Sequence, residues 1–236
     1  MRKLLNIIIL TIIVSGCGEL KKILTTTKSY GLTGEVEFFS EKTLKIQLEK
    51  DWNYLNDTIN PYSLISYKFF NSKGLLDSTY CFDKDSLFLS KVVYSFKLDK
   101  QGIVSVQYDK NGHKTNETKL VSCKDSIAYF EDYKFNTKEI LSKTWIKKED
   151  FKAIWIKSES VKDKIYSEWV YERNENGNEI LIKTKFGFDK NQDYRTLKIK
   201  YLEWDINGNW TKRIEYNENE RETACMLKIR QIKYYE

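Results

Sequence analysis

His113 is the only histidine in this chain of 236 residues and the first candidate for a catalytic base. A general base needs a nucleophile beside it and a third group that orients it. Neither partner occurs in a recognisable motif, because the sequence contains no Gly-x-Ser-x-Gly, no His-Glu-x-x-His and no glycine-rich phosphate loop. His113 directly follows Gly112 in a polar segment, which is typical of an exposed turn. We therefore expect no catalytic residue and no enzymatic activity.

Oxygen-bearing side chains in the turns could bind calcium, as they do in loops with a central glycine and a bidentate Glu at the end. With Gly208 as the central glycine, Asp205 and Asn207 occupy ligand positions, but Ile214 stands where the Glu is required. A Cys/His zinc site is not expected either, since the chain has one His and no Cys-x-x-Cys. The sequence predicts no metal ion and no cofactor.

Aromatic side chains are the remaining candidates for binding. Trp204 and Trp210 flank one turn, and their rings could stack on a sugar or peptide ligand. The chain's tryptophans and tyrosines also alternate with polar residues as core residues do, so packing is the competing interpretation.

The N-terminus has the pattern of an export signal. Arg2 and Lys3 precede an apolar run over residues 4–14, which is too short to cross a bilayer and is typical of a secretory signal peptide. Val14-Ser15-Gly16-Cys17 resembles the lipobox of bacterial lipoproteins. That resemblance implies cleavage before Cys17 and attachment of acyl chains such as palmitate to this cysteine.

The resemblance also implies how the chain is organised. Residues 1–16 form the cleaved signal, and residues 17–29 form the lipidated cysteine with a short polar tether. The length of the remaining chain, residues 30–236, is that of a single all-β domain. Gly18 follows the lipid-bearing cysteine where some Gram-negative lipoproteins carry an Asp that retains them at the inner membrane. Attachment to the outer membrane is therefore favoured. The domain can lie on the periplasmic face or on the cell-surface face of that membrane, and both remain alternatives.

Cys81, Cys123 and Cys225 remain in the mature chain. In an oxidising compartment one disulfide with one free thiol is possible, and three pairings are open. Buried, unpaired cysteines are the alternative.

Composition favours strands over helices. The chain has 16 Tyr, 12 Phe and 6 Trp but only three Ala, and aromatic residues favour strands whereas Ala favours helices. The 40 basic and 34 acidic residues are interspersed, so no basic run points to a nucleic-acid partner.

A short turn pattern recurs along the domain: a bulky residue, Asp or Asn, two polar residues, and Gly or a polar substitute. The Asp or Asn side chain can accept a backbone N–H two residues on, and Gly can adopt the left-handed conformation that closes a hairpin. The copies that end in Gly are Asn71 to Gly74, Asp99 to Gly102, Asp109 to Gly112, Asn174 to Gly177 and Asp205 to Gly208.

Between these turns apolar and polar residues alternate, as in Leu44, Ile46 and Leu48. Alternation of this kind predicts antiparallel strands with one apolar face. We expect an all-β domain, an antiparallel meander of consecutive hairpins that forms a twisted open sheet or closes partly into a barrel or sandwich. The stretch of residues 140–168 can also be read at helical spacing, and strands are the preferred interpretation.

Tyr108-Asp-Lys-Asn-Gly-His and Trp204-Asp-Ile-Asn-Gly-Asn resemble the turns of YD-repeat (Rhs-like) proteins and of Bacteroidota-type envelope lipoproteins. The lack of a catalytic constellation and a scaffold built from turn repeats favour a lipoprotein that acts as a non-catalytic binding or structural module of the cell envelope. Its partners would be the membrane, through the lipid anchor, and an envelope protein or glycan. An immunity-type inhibitor of a secreted toxin and an envelope hydrolase are the alternative functions.

Overall fold

The computed structural model describes residues 26–48, 54–55, 65–83, 85–95, 102–217, 219 and 225–236. The expected signal peptide, the lipidation site Cys17 and the turn residue Asp99 lie outside these ranges.

In the part of the chain that the structure describes, fifteen strands follow a single 3₁₀ helix over Thr27–Tyr30. The strands are β1 (Val36–Leu48), β2 (Tyr54–Leu55), β3 (Ile65–Phe70), β4 (Leu76–Phe82), β5 (Phe88–Tyr94), β6 (Ile103–Asp109), β7 (Lys114–Lys124), β8 (Ile127–Lys134), β9 (Ile140–Glu149), β10 (Lys152–Ser160), β11 (Tyr166–Arg173), β12 (Glu179–Gly187), β13 (Arg195–Trp204), β14 (Trp210–Tyr216) and β15 (Cys225–Tyr234). The segment that could be read as helical, residues 140–168, forms β9, β10 and the start of β11.

The strands form one antiparallel meander that closes into a barrel. From β3 to β15 each strand pairs with the next, β3 pairs with β1, and β15 returns to pair with β1. Fourteen strands therefore make the closed wall, and β2 pairs with the end of β1. The predicted all-β meander of consecutive hairpins is confirmed, and of its open and closed forms the barrel is the one observed. Closure pairs both edges of the sheet, so no strand of the wall is left as an edge.

The turns show why this sequence makes hairpins. Asp109 Oδ1 accepts the backbone N–H of Asn111 at 2.8 Å and that of His113 at 2.9 Å, and Gly112 has a φ of 79°. Asp205 binds the amides of Asn207 and Asn209 in the same way. An acceptor at the first turn position and a residue tolerant of positive φ at the fourth together reverse the chain.

The two faces of the sheet have different roles. Glu41 on β1 and Ile156 on β10 line the same cavity although their strands lie on opposite sides of the barrel, so this face is the inner one. Because side chains alternate along a strand, Leu44 and Trp155 point outward. The outer face also carries ion pairs such as Lys157–Glu159.

Two apolar clusters stabilise the wall. One lies on the inner face near the start of β1 and comprises Leu32, Val36, Phe39, Phe70 and Leu76. The other lies on the outer face of β1, β14 and β15 and comprises Leu44, Ile46, Ile214, Tyr216, Cys225 and Leu227. Burial of each large apolar side chain contributes about 1.5–3 kcal/mol, so both clusters strengthen the seam where the barrel closes.

Residues 26–35 cross one end of the barrel and are called the N-terminal strap. Thr27 N–H donates to the carbonyl of Gly74 in the β3–β4 turn at 2.9 Å, and the Lys28 ammonium lies 5.7 Å from the Phe151 ring in the β9–β10 turn. These turns share one end of the meander. The last four residues of the expected tether, 26–29, therefore belong to this folded strap.

The three cysteines of the mature chain lie on different strands, and the structure shows no disulfide among them. Cys225 is buried in the outer apolar cluster. Within the described ranges, no helix has the length and apolar character needed to span a bilayer.

Candidate functional site: a cationic cavity inside the barrel

A cavity of about 630 Å³ lies inside the barrel, bounded by β1, β14 and β15 on one side and by β8 to β13 on the other. Tyr30 and Gly31 of the N-terminal strap line it at one end. The volume falls in the range of about 300–1,000 Å³ that is typical of small-molecule sites. It is large enough for an organic ligand.

Three carboxylates and four cations form an ion-pair network on the cavity wall. Arg213 binds Glu179 at 2.9 Å and Glu215 at 2.5 Å, and Glu215 also binds Lys228 at 2.9 Å. On the adjoining strands, Arg173 binds Glu179 at 3.2 Å, and Arg230 Nε donates to Glu41 at 2.8 Å. Residues two apart on one strand share a face, which is why Arg213 and Glu215 meet there.

The network keeps Glu41 and Glu179 ionised. Burial by itself would raise the pKa of Glu41, but Arg230, Lys228 and Lys68 outweigh it and hold that pKa well below its usual range. Burial acts on Glu179 in the same direction, and nearby arginines again lower its pKa. These carboxylates are therefore anions that position arginines.

Some guanidinium N–H groups remain without a partner in this network. Nε and Nη1 of Arg173 and Nε of Arg213 are buried and have no hydrogen-bond partner among the described residues. Arg213 is 7% exposed and Arg173 is 14% exposed, and both line the cavity. Buried polar groups almost always have a hydrogen-bond partner, so these donors mark the part of the wall that is prepared for an acceptor.

Two lysines add positive charge to the same end of the cavity. Lys152 donates to the carbonyl of Gly177 at 2.8 Å. Burial lowers the pKa of Lys148 to about 8. Lys148 is therefore close to the boundary between its charged and neutral forms at neutral to mildly basic pH.

The wall between these cations is apolar. Ile146, Ile156, Ile182 and Leu197 line the cavity from four strands, and Trp169 lies among them. A ligand in this space would meet hydrocarbon along its length and guanidinium groups at one end.

Trp210 and Trp204, which the sequence singles out for ligand stacking, occupy different environments. Trp210 is 4% exposed and lines the cavity, but the guanidinium carbon of Arg230 lies 3.6 Å from its ring centroid and that of Arg213 lies 4.4 Å away. Trp204 is 45% exposed and packs on Tyr201 with ring centroids 5.0 Å apart. A stacking role for the two tryptophans stays a prediction, and the structure places only Trp210 at the cavity.

The predicted turn residues that fall in described ranges lie in hairpin turns. Side-chain oxygens of Asn71, Asp109, Asn174 and Asp205 each accept backbone amides of their own turn, and Gly74, Gly102, Gly112, Gly177 and Gly208 all have positive φ. His113 is exposed, with Nδ1 3.5 Å from the Asp109 carboxylate. Across the described part of the chain, no group of three or more His, Cys, Asp and Glu is arranged to hold a metal ion.

Sequence reasoning missed the ionic residues of the cavity. Their signal is a pair of charged residues two positions apart on one strand. Arg213 and Glu215 flank Ile214 in this way, and Lys228 and Arg230 flank Ile229. Each isoleucine faces the opposite side of the sheet. This pattern is the same as that of a solvent-facing strand. Only barrel closure reveals that it faces a lumen.

No family model matches the chain. No curated protein matches it either. Among solved structures, the chain is similar to a porin-like protein from Bacteroides uniformis, with 9% sequence identity and a TM-score of 0.45 over 84% of this chain and 96% of that one. A similarity at this level assigns no function to the chain.

Proposed function

We propose that the chain is a non-catalytic binding protein of the cell envelope, anchored by acyl chains on Cys17, whose barrel holds a small molecule in its lumen. The observation that carries this proposal is the 630 Å³ cavity, with unpartnered arginine donors on its wall. A wall of fourteen strands is wider than the barrels of about eight strands whose interiors are filled by side chains, so it encloses space for a ligand.

The charged outer wall supports a barrel that stands beside the membrane rather than within its hydrocarbon. Lys157 and Glu159 face outward on β10, and Glu172 and Lys183 form a 2.6 Å ion pair across β11 and β12. A charged side chain facing lipid near the bilayer midplane costs about 2–4 kcal/mol. A lipid anchor would hold such a barrel at the membrane surface without placing these charges in lipid.

The N-terminal strap supports a definite orientation. Thr26 follows Cys17 by nine residues, a length of extended chain of at most about 30 Å. The strap crosses the barrel at the end that contains the β3–β4 and β9–β10 turns. This end would therefore face the membrane, and the opposite end would face away from it.

The carboxylates of the cavity support a binding role over hydrolysis. A general acid or base works best with a pKa near the operating pH. Glu41 and Glu179 instead have lowered pKa values and are held in ion pairs with arginines.

Mass spectrometry tests the anchor and the lumen separately. Chain isolated from its own membranes should carry an acylated Cys17 as its first residue, and an unmodified N-terminus at another residue would contradict the anchor. Native mass spectrometry should show one small molecule retained per barrel, and Ala153→Phe, which adds bulk to the cavity wall, should abolish retention while Lys183→Met on the outer face does not. Stoichiometric recovery of a protein partner with an empty lumen would favour an immunity-type inhibitor instead.

A further inference from the structure

Positive charge is in excess on the cavity wall. Of the described residues that line the cavity, seven have basic side chains and three have carboxylates: Lys148, Lys152, Arg173, Arg195, Arg213, Lys228 and Arg230 against Glu41, Glu179 and Glu215. Basic side chains therefore outnumber carboxylates among the described residues of this wall, and like charges inside a protein repel more strongly than in water. The wall is electrostatically suited to an anion.

The unpartnered donors locate the anion. Glu179 receives Arg173 on Oε1 and Arg213 on Oε2, so its carboxylate holds the two guanidinium groups next to each other. Their remaining buried donors, Nε and Nη1 of Arg173 and Nε of Arg213, have no acceptor in the part of the chain that the structure describes. A guanidinium group binds an oxyanion through paired N–H donors, and such charge-assisted hydrogen bonds are about twice as strong as neutral ones.

The rest of the wall determines what the anion is attached to. Ile146, Ile156, Ile182 and Leu197 present hydrocarbon to the same cavity. A bare inorganic ion would leave this apolar surface in contact with water, which is unfavourable. A ligand that buries it must have an apolar body.

We propose that the lumen binds an organic anion with an apolar body, whose carboxylate, sulfonate or phosphate group contacts Arg173 and Arg213. This inference rests on the proposed function, because it names the ligand class of the same cavity. The apolar body lies along the isoleucines of β9, β10 and β12, and Lys152 contributes further positive charge at the head group.

A matched pair of fluorescent probes tests the charge requirement. 1-Anilinonaphthalene-8-sulfonate carries an anionic group on an aromatic body, and N-phenyl-1-naphthylamine is its neutral counterpart. Each probe is titrated into the full chain, which is kept in detergent above the critical micelle concentration of that detergent. Titrations into detergent alone and into the Ala153→Phe variant measure the binding outside the lumen, and this background is subtracted. The sulfonate should bind one molecule per chain, at least tenfold more tightly than the neutral probe.

Arg173→Met should weaken binding of the sulfonate at least tenfold, because it removes both Arg173 donors and the loss of one charge-assisted hydrogen bond alone costs about a factor of ten. It should change binding of the neutral probe less than twofold. The matched control is Lys183→Met, which removes one positive charge from the outer face of β12 and should change neither affinity. Circular dichroism establishes that each variant is folded, and Lys152→Met replaces Arg173→Met if the latter does not fold.

The outcomes separate this inference from the proposed function. Equal binding of both probes, lost in Ala153→Phe, would overturn the anion preference and leave a ligand-binding lumen in place. Sulfonate binding that Arg173→Met and Lys183→Met weaken equally would also overturn it, because the anion would then respond to net charge alone. If neither probe shows any binding that is lost in Ala153→Phe, the binding lumen itself is contradicted.

Discussion

Asn209 fastens the N-terminal strap to the barrel, and its replacement by Ala should be strongly destabilising. Its side chain is 1% exposed. Oδ1 accepts the N–H of Thr33 at 2.6 Å, and Nδ2 donates to the carbonyl of Thr33 at 2.9 Å and to the hydroxyl of Tyr234 at 2.5 Å. The side chain of Asn209 therefore binds both the backbone N–H and the backbone carbonyl of Thr33 in the strap.

The magnitude follows from these three hydrogen bonds. A typical intramolecular hydrogen bond contributes about 0.5–1.5 kcal/mol net. Asn209→Ala should therefore lower the free energy of unfolding by about 3 kcal/mol. The measurement is urea denaturation followed by tryptophan fluorescence, in which the midpoint moves and the slope is unchanged.

His113→Ala is the matched control. His113 occupies the same turn position as Asn209, because its amide also donates to the Asp four residues earlier. Its side chain, however, is 76% exposed, so truncation should cost less than about 0.5 kcal/mol, the range of ordinary surface substitutions. If Asn209→Ala costs no more than His113→Ala, or if hydrogen exchange at the Thr33 amide is unchanged, Asn209 does not hold the strap.

Three further predictions concern the turns and the ion pairs. Gly112→Ala should lower the free energy of unfolding by about 1 kcal/mol because Gly112 has a positive φ. Gly102→Ala should lower it by about twice as much, because the added Cβ would also lie 3.0 Å from a backbone carbonyl oxygen. Equal shifts of the two variants in thermal denaturation would contradict this. Glu215→Gln should cost about 3 kcal/mol because it leaves buried cations without their carboxylate, while Glu172→Gln in an exposed pair should cost less than about 0.5 kcal/mol by urea denaturation. In the folded chain the pKa of Lys148 is about 8, which is below its value in the unfolded chain. Between pH 8 and about 10.4 the unfolded state therefore binds more protons at this lysine than the folded state does. Over this interval Lys148 makes the free energy of unfolding rise with pH. Lys148→Met should remove this contribution, and an unchanged difference in stability between the two proteins across that interval would refute it.

The sequence predicts the hairpins well because turn chemistry is local. Asp205 reaches the amides of its own turn, and Gly208 supplies the backbone conformation that closes it, whatever the rest of the chain does. Alternation along strands is equally local. It assigns residues 140–168 to strands once the period of two is preferred over helical spacing.

Alternation along β14 predicts the wrong inner face. Arg213 and Glu215 alternate with Ile214, a pattern that predicts an apolar interior and a polar exterior. The structure places Ile214 on the outer face and the two charged residues in the lumen. Alternation shows that two faces differ, but it does not say which one a closed sheet encloses.

The strap and the site were also beyond sequence reasoning. Thr33 and Asn209 are 176 positions apart, and Glu41 and Arg230 are 189 apart. Each pair meets only because β15 returns to β1 and closes the barrel. The sequence by itself determined the strands, the turns and the pattern of an export signal, since these depend on neighbours along the chain. The lumen, its excess of basic side chains and the buried N–H groups of Arg173 and Arg213 that lack an acceptor among the described residues were decided by tertiary structure, because they depend on which distant strands closure brings face to face.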